Sequence, residues 1–256
     1  MRIIIGVAAH KAYWMPCGGL YLPIQAGSAG RPPLGWQRDD AGENISEKNA
    51  TFCELTCLYW LWKHMEADAY GLAHYRRYFA RGAVFGGRKR ERILTGEDAA
   101  RFLAHAEIVV PKKRRYWIET NYTQYIHAHH EEDLQKTKEI LAKKYPECLP
   151  AWETVMNRRS GHRFNMFIMK KAQFDEYCSW LFDILFELES VLDISGYSAK
   201  DRRVFGYVGE RLLDVWLEAN SRRYVEAPVV NLENQHWEKK IATFLRRKIG
   251  IRDSEE

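Results

Sequence analysis

GLAHYRRYF, residues 71–79, is the stretch on which the fold turns. It follows a helix-like segment and the lead-in Asp68-Ala69-Tyr70, and its small and apolar residues read as a buried strand that finishes in a polar tip. The tip carries His74, Tyr75, Arg76 and Arg77. Two adjacent arginines and a histidine at a strand end form a fixed cationic cradle, and the guanidinium fork matches phosphate geometry while keeping its charge. The pattern points to a diphosphate site at the strand end. A plainer reading is that Arg76 and Arg77 pair with nearby carboxylates.

Working outward, residues 2–9 form a continuous apolar run, the pattern of a central parallel strand, and they end in His10 and Lys11. Ligands in open α/β sheets bind beyond the carboxyl ends of strands, so His10 and Lys11 join the same candidate site. A second apolar piece, residues 21–25, precedes a Gly/Pro-rich loop, residues 26–35. The polar segment that follows holds Asp39, Asp40 and Asn44, which suit hydrogen bonding to sugar or ribose hydroxyls; an ordinary capped loop is the alternative. Asp39 and Asp40 are also the one adjacent acidic pair near this site that a divalent cation could use. Asn44, Ser46 or Asn49 caps a helix along which Leu55, Leu58 and Trp62 recur, and Cys53 and Cys57 share one face of it as small core residues.

Residues 82–92 are rich in Gly and Arg and read as a mobile loop. A helix over 95–104 opens on TGED, and EIVVP (107–111) is a further buried strand that runs into Lys112-Lys113-Arg114-Arg115. Residues 118–132 concentrate Tyr122, Tyr125, His127, His129, His130 and Glu131. No Glu lies between histidines spaced as in HExxH, so sugar contacts suit this cluster better than a metal. A loop with His162 then leads to a strand over 165–169, a long amphipathic helix, a second helix striped by Val204, Val208, Leu212, Val215 and Trp216, and a closing strand over 225–230.

The bulk composition bounds the rest. With 256 residues and 46% hydrophobic content the chain builds one large α/β domain, placed here at residues 1–230, with a tail at 231–256. Five cysteines without a CxxC pair argue against a disulfide framework or a thiolate zinc site. The short apolar start reads as a strand rather than a signal peptide, and no run approaches the ~18 apolar residues of a membrane span. A cytoplasmic protein follows. The net charge of +5 suits an anionic ligand or a membrane surface, and no zinc-finger, recognition-helix or RNP motif points to nucleic acid. The tail places Trp237, Ile241, Phe244 and Leu245 on one helical face and Lys239, Lys240, Arg246, Arg247 and Lys248 on the rest, a basic amphipathic helix suited to the inner leaflet of the plasma membrane or to packing on the body.

Several motifs coincide in order with one bacterial family: VAAHK, YLPIQAGSA, RDDAGENISEKNATFCELTCLYWLWKH, GLAHYRRYF, PKKRRYWIETNYTQYIHAHH, RRSGHRFNMFIMKK and GERLLDVWLEAN. From Arg2 to about Pro228 the chain resembles this family, long catalogued as a domain of unknown function in capsular, exopolysaccharide and O-antigen gene clusters. Its characterised branch resembles galactofuranosyltransferases with a compact GT-A-like fold, a Rossmann-type mixed sheet flanked by helices. The first motif departs slightly, with Ala9 where many relatives carry Thr, which leaves His10 and Lys11 to serve that corner. The resemblance implies inverting transfer of a sugar, galactofuranose foremost, from a UDP donor to a hydroxyl of a growing, lipid-linked surface glycan. On this reading His10, Lys11, His74, Tyr75, Arg76 and Arg77 bind the nucleotide diphosphate in place of the usual Asp-x-Asp metal site, so no divalent cofactor is expected. Glu210 is the foremost general base, with His130 and Glu131 behind it, and Asp39, Asp40, Asn44, His162, Asn165 and Arg211 contact sugar or acceptor. A hexopyranosyl donor on the same scaffold, or a glycan- or nucleotide-binding module without catalysis, are the competing readings.

Overall fold

A computed structural model describes residues 1–82 and 88–233. In chain order its elements are β1 (Ile3–Ala9), β2 (Tyr21–Gln25), β3 (Gln37–Arg38), α1 (Asn49–Phe52), α2 (Leu55–His64), β4 (Ala69–His74) and β5 (Arg77–Phe79). They continue with α3 (Gly96–His105), β6 (Ile108–Pro111), β7 (Arg114–Arg115), α4 (Asn121–Ile126), α5 (Glu131–Lys144), α6 (Leu149–Asn157) and β8 (Ser160–Gly161). The last are β9 (Phe167–Lys170), α7 (Lys171–Val191), α8 (Val204–Ala219), β10 (Tyr224–Ala227) and β11 (Val229–Asn231).

The main sheet runs β10-β6-β9-β4-β1-β2-β3. β1 is parallel to both neighbours, β2 and β4, and is buried at every residue. Only β9 runs against the grain of this path, antiparallel to β4 and β6, so β6 points the same way as β1 and β4. Burial of both faces explains why β1 lacks alternation. Ile4 and Ala8 face a core built with α2, α5, α6, α7 and α8, whereas Ile3, Ile5, Val7 and Ala9 face a second core that includes Ala99 and Leu103 of α3. Gly71 lets β4 and β9 approach closely: a Cβ there would stand 2.8 Å from the Phe167 carbonyl oxygen, closer than packed atoms allow.

The fold class read from the sequence, a mixed α/β sheet flanked by helices, is the one observed. Three local readings are corrected. Cys53 does not share a helix face with Cys57: its backbone turns to φ 54° and parts α1 from α2. Asn49 braces that break, its side-chain amide donating to the Cys53 carbonyl at 2.7 Å. The closing strand is two strands, because Pro228 has no N–H to continue a ladder; β10 lies parallel to β6, and β11 pairs antiparallel with β5. The strand expected over 165–169 begins at Phe167, since Phe164 and Asn165 hold positive φ of 79° and 50°. The helix expected over 95–104 spans Gly96–His105 and opens on a reciprocal Thr95–Asp98 capping box. Within the loop read as mobile, Lys89–Arg92 form a 3-10 turn and residues 83–87 lie outside the described residues, as does the amphipathic tail from 234 onward. Among the described residues no helix is long and apolar enough to cross a membrane.

Candidate functional site

β1 and β4 end side by side, and the polar tip read from the sequence is a reversal. Tyr75 and Arg76 turn the chain, and His74 of β4 then pairs antiparallel with Arg77 of β5. The reversal sets the cationic residues at the carboxyl edge of the sheet, beside His10 at the end of β1. There a cleft of about 670 Å³ opens, bounded by these strand ends, the α1–α2 break, Phe164 and α8.

Much of the lining is basic. His10, Arg31, Arg76, Arg77 and Arg203 line the cleft together with His74 and Tyr75. Tyr75 is the scaffold of this cluster: its buried ring meets His10 and Tyr13 edge-on at 5.3 and 5.1 Å, and the Arg76 guanidinium lies 4.9 Å from its centroid. Lys11 stands outside the lining, but its ammonium is 5.8 Å from the same ring. Partial burial lowers the pKa of His10 below the ordinary imidazole value, and the charges of Lys11, Arg76, Arg31 and Arg203 push in the same direction. Burial also presses down the proton affinity of Arg77, with Arg76 adding to it while Glu54 and Glu210 oppose. Cations packed this closely raise the local potential and favour an anion in the cleft. Arg76 is the exception in part, since it pairs with Glu233 at 2.8 Å, as the plainer sequence reading allowed.

The carboxylates of Glu54 and Glu210 line the same cleft. Glu210 accepts from the Phe164 N–H at 3.1 Å and from Arg211 at 3.1 Å. Glu54 accepts from the Asn165 side-chain amide at 2.6 Å. His74 donates through Nε2 to the Phe164 carbonyl at 2.6 Å, the only role a carbonyl permits, and the Phe164 ring lies under Arg77 at 4.5 Å. The positive-φ pair Phe164-Asn165 therefore fixes both carboxylates and part of the basic lining at once.

Other residues singled out from the sequence sit elsewhere. Asp39 is fully buried and accepts from the N–H groups of Gly27 and Ser28 and the hydroxyls of Ser28, Ser46 and Thr56; it organises the loop and has no face for a sugar or a cation. Asp40 pairs with Arg38 at 2.5 Å, a contact that lowers its pKa, and Asn44 ties the same loop to the Asp40 and Gly42 carbonyls. His162 is fully buried between Asp214 and Glu226. Arg211 lies beneath the cleft, holding Glu210, the Tyr207 carbonyl and Gln124, and Asn165 is likewise a buried brace for Glu54. His130 stacks on Tyr197 at 4.0 Å and Glu131 accepts from Tyr122, both outside the cleft lining. His129 belongs to that same packing, stacked on Tyr207 and bound to Asp201, and burial drops its pKa to about 4.

Sequence reasoning left out Glu54, Arg31, Arg203, Tyr207 and Phe164. Glu54 precedes Leu55 in the helix read there and is given no role; its signal is a charged residue at a helix break. Among the described residues no three His, Cys, Asp or Glu side chains converge as a metal site requires.

A mixed sheet flanked by helices, with a charged cleft beyond the carboxyl ends of its parallel strands, is the architecture of ligand-binding α/β proteins. The chain belongs to the family described as a domain of unknown function, DUF4422, which it matches over residues 4–221. Its structure is similar to that of a WbbM bifunctional glycosyltransferase in the apo form, with a TM-score of 0.84 and 29% sequence identity, covering 91% of this chain and 46% of that one. The chain thus spans about half the length of the structure it matches. The fold is GT-A-like, as the resemblance read from the motifs implied. No curated protein matches the chain.

Proposed function

We propose that this chain is an inverting glycosyltransferase of surface-polysaccharide assembly that moves galactofuranose from a UDP donor to a glycan hydroxyl. The observation that carries the reading is the cleft itself: basic side chains at the ends of β1 and β4 share it with the carboxylates of Glu54 and Glu210, in a fold like that of a bifunctional glycosyltransferase. Arg77, Arg203, Arg76 and His10 receive the diphosphate and stabilise the charge that gathers on it as the sugar departs. Glu210 removes the proton of the attacking hydroxyl, oriented by the Phe164 N–H and Arg211. In this reading the donor diphosphate lies against the cations and the acceptor hydroxyl against Glu210, an arrangement suited to attack opposite the leaving group.

Divalent metals serve many GT-A enzymes by bridging the diphosphate to an Asp-x-Asp. The residues here do not fit that group: His-Tyr-Arg-Arg stands at the end of β4, arginine has no acceptor, and Asp39 and Asp40 are committed to the loop. In our reading fixed guanidinium groups take over the electrostatic role.

The test is direct. Full-length protein is incubated with UDP-galactofuranose or UDP-galactopyranose and a lipid-linked glycan acceptor, and both UDP and extended glycan are measured. Transfer from the furanose donor supports the proposal. Transfer from the pyranose alone would keep the enzyme and replace the sugar, and UDP binding without any product would leave a binding module.

A further inference from the structure

A second feature stands at the same edge of the sheet as the cleft and takes no part in it. β6 runs parallel to β1 and β4, so its carboxyl end delivers Lys112–Ile118 to the edge where the cleft opens. The segment is pinned along its length. The Lys112 N–H donates to the Ala227 carbonyl at 3.0 Å, and β7 pairs with β8 through Arg114↔Gly161 and Arg115↔Ser160. The Tyr116 N–H donates to the Arg159 carbonyl at 2.7 Å, and its hydroxyl accepts from Arg163 at 2.7 Å. Beyond Tyr116 the fastening stops on the side-chain side: Trp117 is 81% exposed and Ile118 is 57% exposed.

A tryptophan and an isoleucine standing adjacent in water on an ordered backbone are costly unless something covers them. The other large apolar side chains exposed among the described residues, Met1 and Val191, have no such neighbour. Immediately before them come Lys112, Arg114 and Arg115, all exposed, while Lys113 is occupied by the Tyr224 hydroxyl at 2.7 Å. Exposed cations flanking an indole and a branched aliphatic side chain match the layered chemistry of one surface in particular. Indole rings settle at the headgroup level of a bilayer, aliphatic chains pass below it, and Lys and Arg meet the anionic phosphates above.

We propose that the ribbon formed by β7 and β8, with Trp117 and Ile118 at its tip, docks this protein on an anionic lipid bilayer. Docking there presents the edge of the sheet that carries the cleft toward the membrane. The inference stands on residues outside the cleft, so it does not depend on the reaction proposed for it.

The test uses the full chain and vesicles of phosphatidylcholine with or without phosphatidylglycerol. Binding is expected only with phosphatidylglycerol and to weaken as salt rises. Arg114→Ala combined with Arg115→Ala is expected to cut affinity on the order of 25-fold, about fivefold per charge. Trp117→Ala with Ile118→Ser is expected to weaken it comparably, and Trp117→Phe to retain binding but lose fluorescence quenching by brominated lipid. Circular dichroism and thermal melting check that these exposed substitutions leave the fold intact. The proposal is overturned if wild-type protein ignores anionic vesicles, or if both double variants bind as wild type does. It is also overturned if the wild type self-associates in sedimentation velocity, without vesicle binding, and the Trp117/Ile118 variant does not, which would make the tip an interface between copies.

Discussion

The backbone N–H of Phe164 points at the Oε1 of Glu210 and donates to it at 3.1 Å. One residue thereby joins a carboxylate of the cleft to its basic residues, because the Phe164 carbonyl receives His74 and its ring supports Arg77. Its backbone holds a non-glycine φ of 79°, a sparsely populated conformation kept where the surroundings fix it.

If Glu210 takes the acceptor proton, Glu210→Gln keeps the shape and leaves the basic groups proposed to hold the nucleotide in place but removes the basicity. Transfer should fall by about 10²–10⁴-fold with UDP affinity held. Steady-state kinetics alongside calorimetric UDP titration separates the two quantities. Glu54→Gln is the informative companion: should it abolish transfer while Glu210→Gln spares it, the base is Glu54, braced by Asn165 at 2.6 Å.

Arg77 sits partly buried on the Phe164 ring, where Arg76 repels it and Glu54 and Glu210 attract it. Removing a preorganised donor of this kind typically costs about 10²–10³-fold in kcat. Arg77→Ala should show that loss. Arg77→Lys should recover little of it, since an ammonium neither stacks as a plane nor forks onto phosphate oxygens. A Lys variant with wild-type kcat would reduce Arg77 to a generic charge.

Much of this arrangement was legible in the chain, and the parts that were not have physical reasons. β1, β2 and α3 were readable because apolar runs and a capping box are local signals. His10, His74 and the arginines were readable because strand ends are where α/β sheets bind ligands. Asp39 misled because an adjacent acidic pair looks the same whether it faces a ligand or is consumed by Gly27, Ser28, Ser46 and Thr56. His162 and Arg211 read as sugar or acceptor contacts, yet both are buried in networks assembled from distant elements. Glu54 and Arg203 stayed hidden for the opposite reason: they meet in the cleft only because Cys53 breaks the helix and α8 packs across the break, which no local pattern records.

The depressed pKa of His10 fixes the sign of a pH effect. Burial and the charges of Lys11, Arg76, Arg31 and Arg203 disfavour the imidazolium, so the free protein holds His10 neutral near pH 7. A bound diphosphate reverses that field and raises the pKa, so binding takes up a proton in the window between the two values. Affinity for the UDP-sugar, whose diphosphate diester has no proton to exchange near neutrality, should therefore strengthen as pH falls through the pKa of bound His10 and level off once the free protein is itself protonated. Calorimetry in two buffers of different ionisation enthalpy reads the proton directly. His10→Gln should flatten the profile; an unchanged slope would assign the proton elsewhere.

Removal of divalent metal should leave transfer unchanged. At the end of β4 the groups that would face the diphosphate are cations, and Glu210 is engaged by Phe164 and Arg211. Initial rates are compared with and without EDTA, then after adding manganese. Loss on chelation with recovery on manganese would sink the guanidinium account of leaving-group stabilisation.

Asp39 makes the sharpest contrast between a residue of the site and a residue of the fold. Its Oδ1 accepts from the Ser28 N–H at 2.9 Å, the Ser28 hydroxyl at 2.7 Å and the Ser46 hydroxyl at 2.5 Å. Its Oδ2 accepts from the Gly27 N–H at 2.8 Å and the Thr56 hydroxyl at 2.6 Å. All of these groups are withdrawn from water, so Asp39→Ala strands donors that no solvent can reach, each at a cost of about 1–3 kcal/mol. Asp39→Asn preserves the volume but turns one acceptor into a donor facing donors. Both variants should lose at least about 3 kcal/mol of unfolding free energy in urea titrations, Ala through unpaired groups and Asn through mismatched ones. A variant of normal stability with weakened sugar binding would return Asp39 to the ligand, and with it the acidic pair as a metal site.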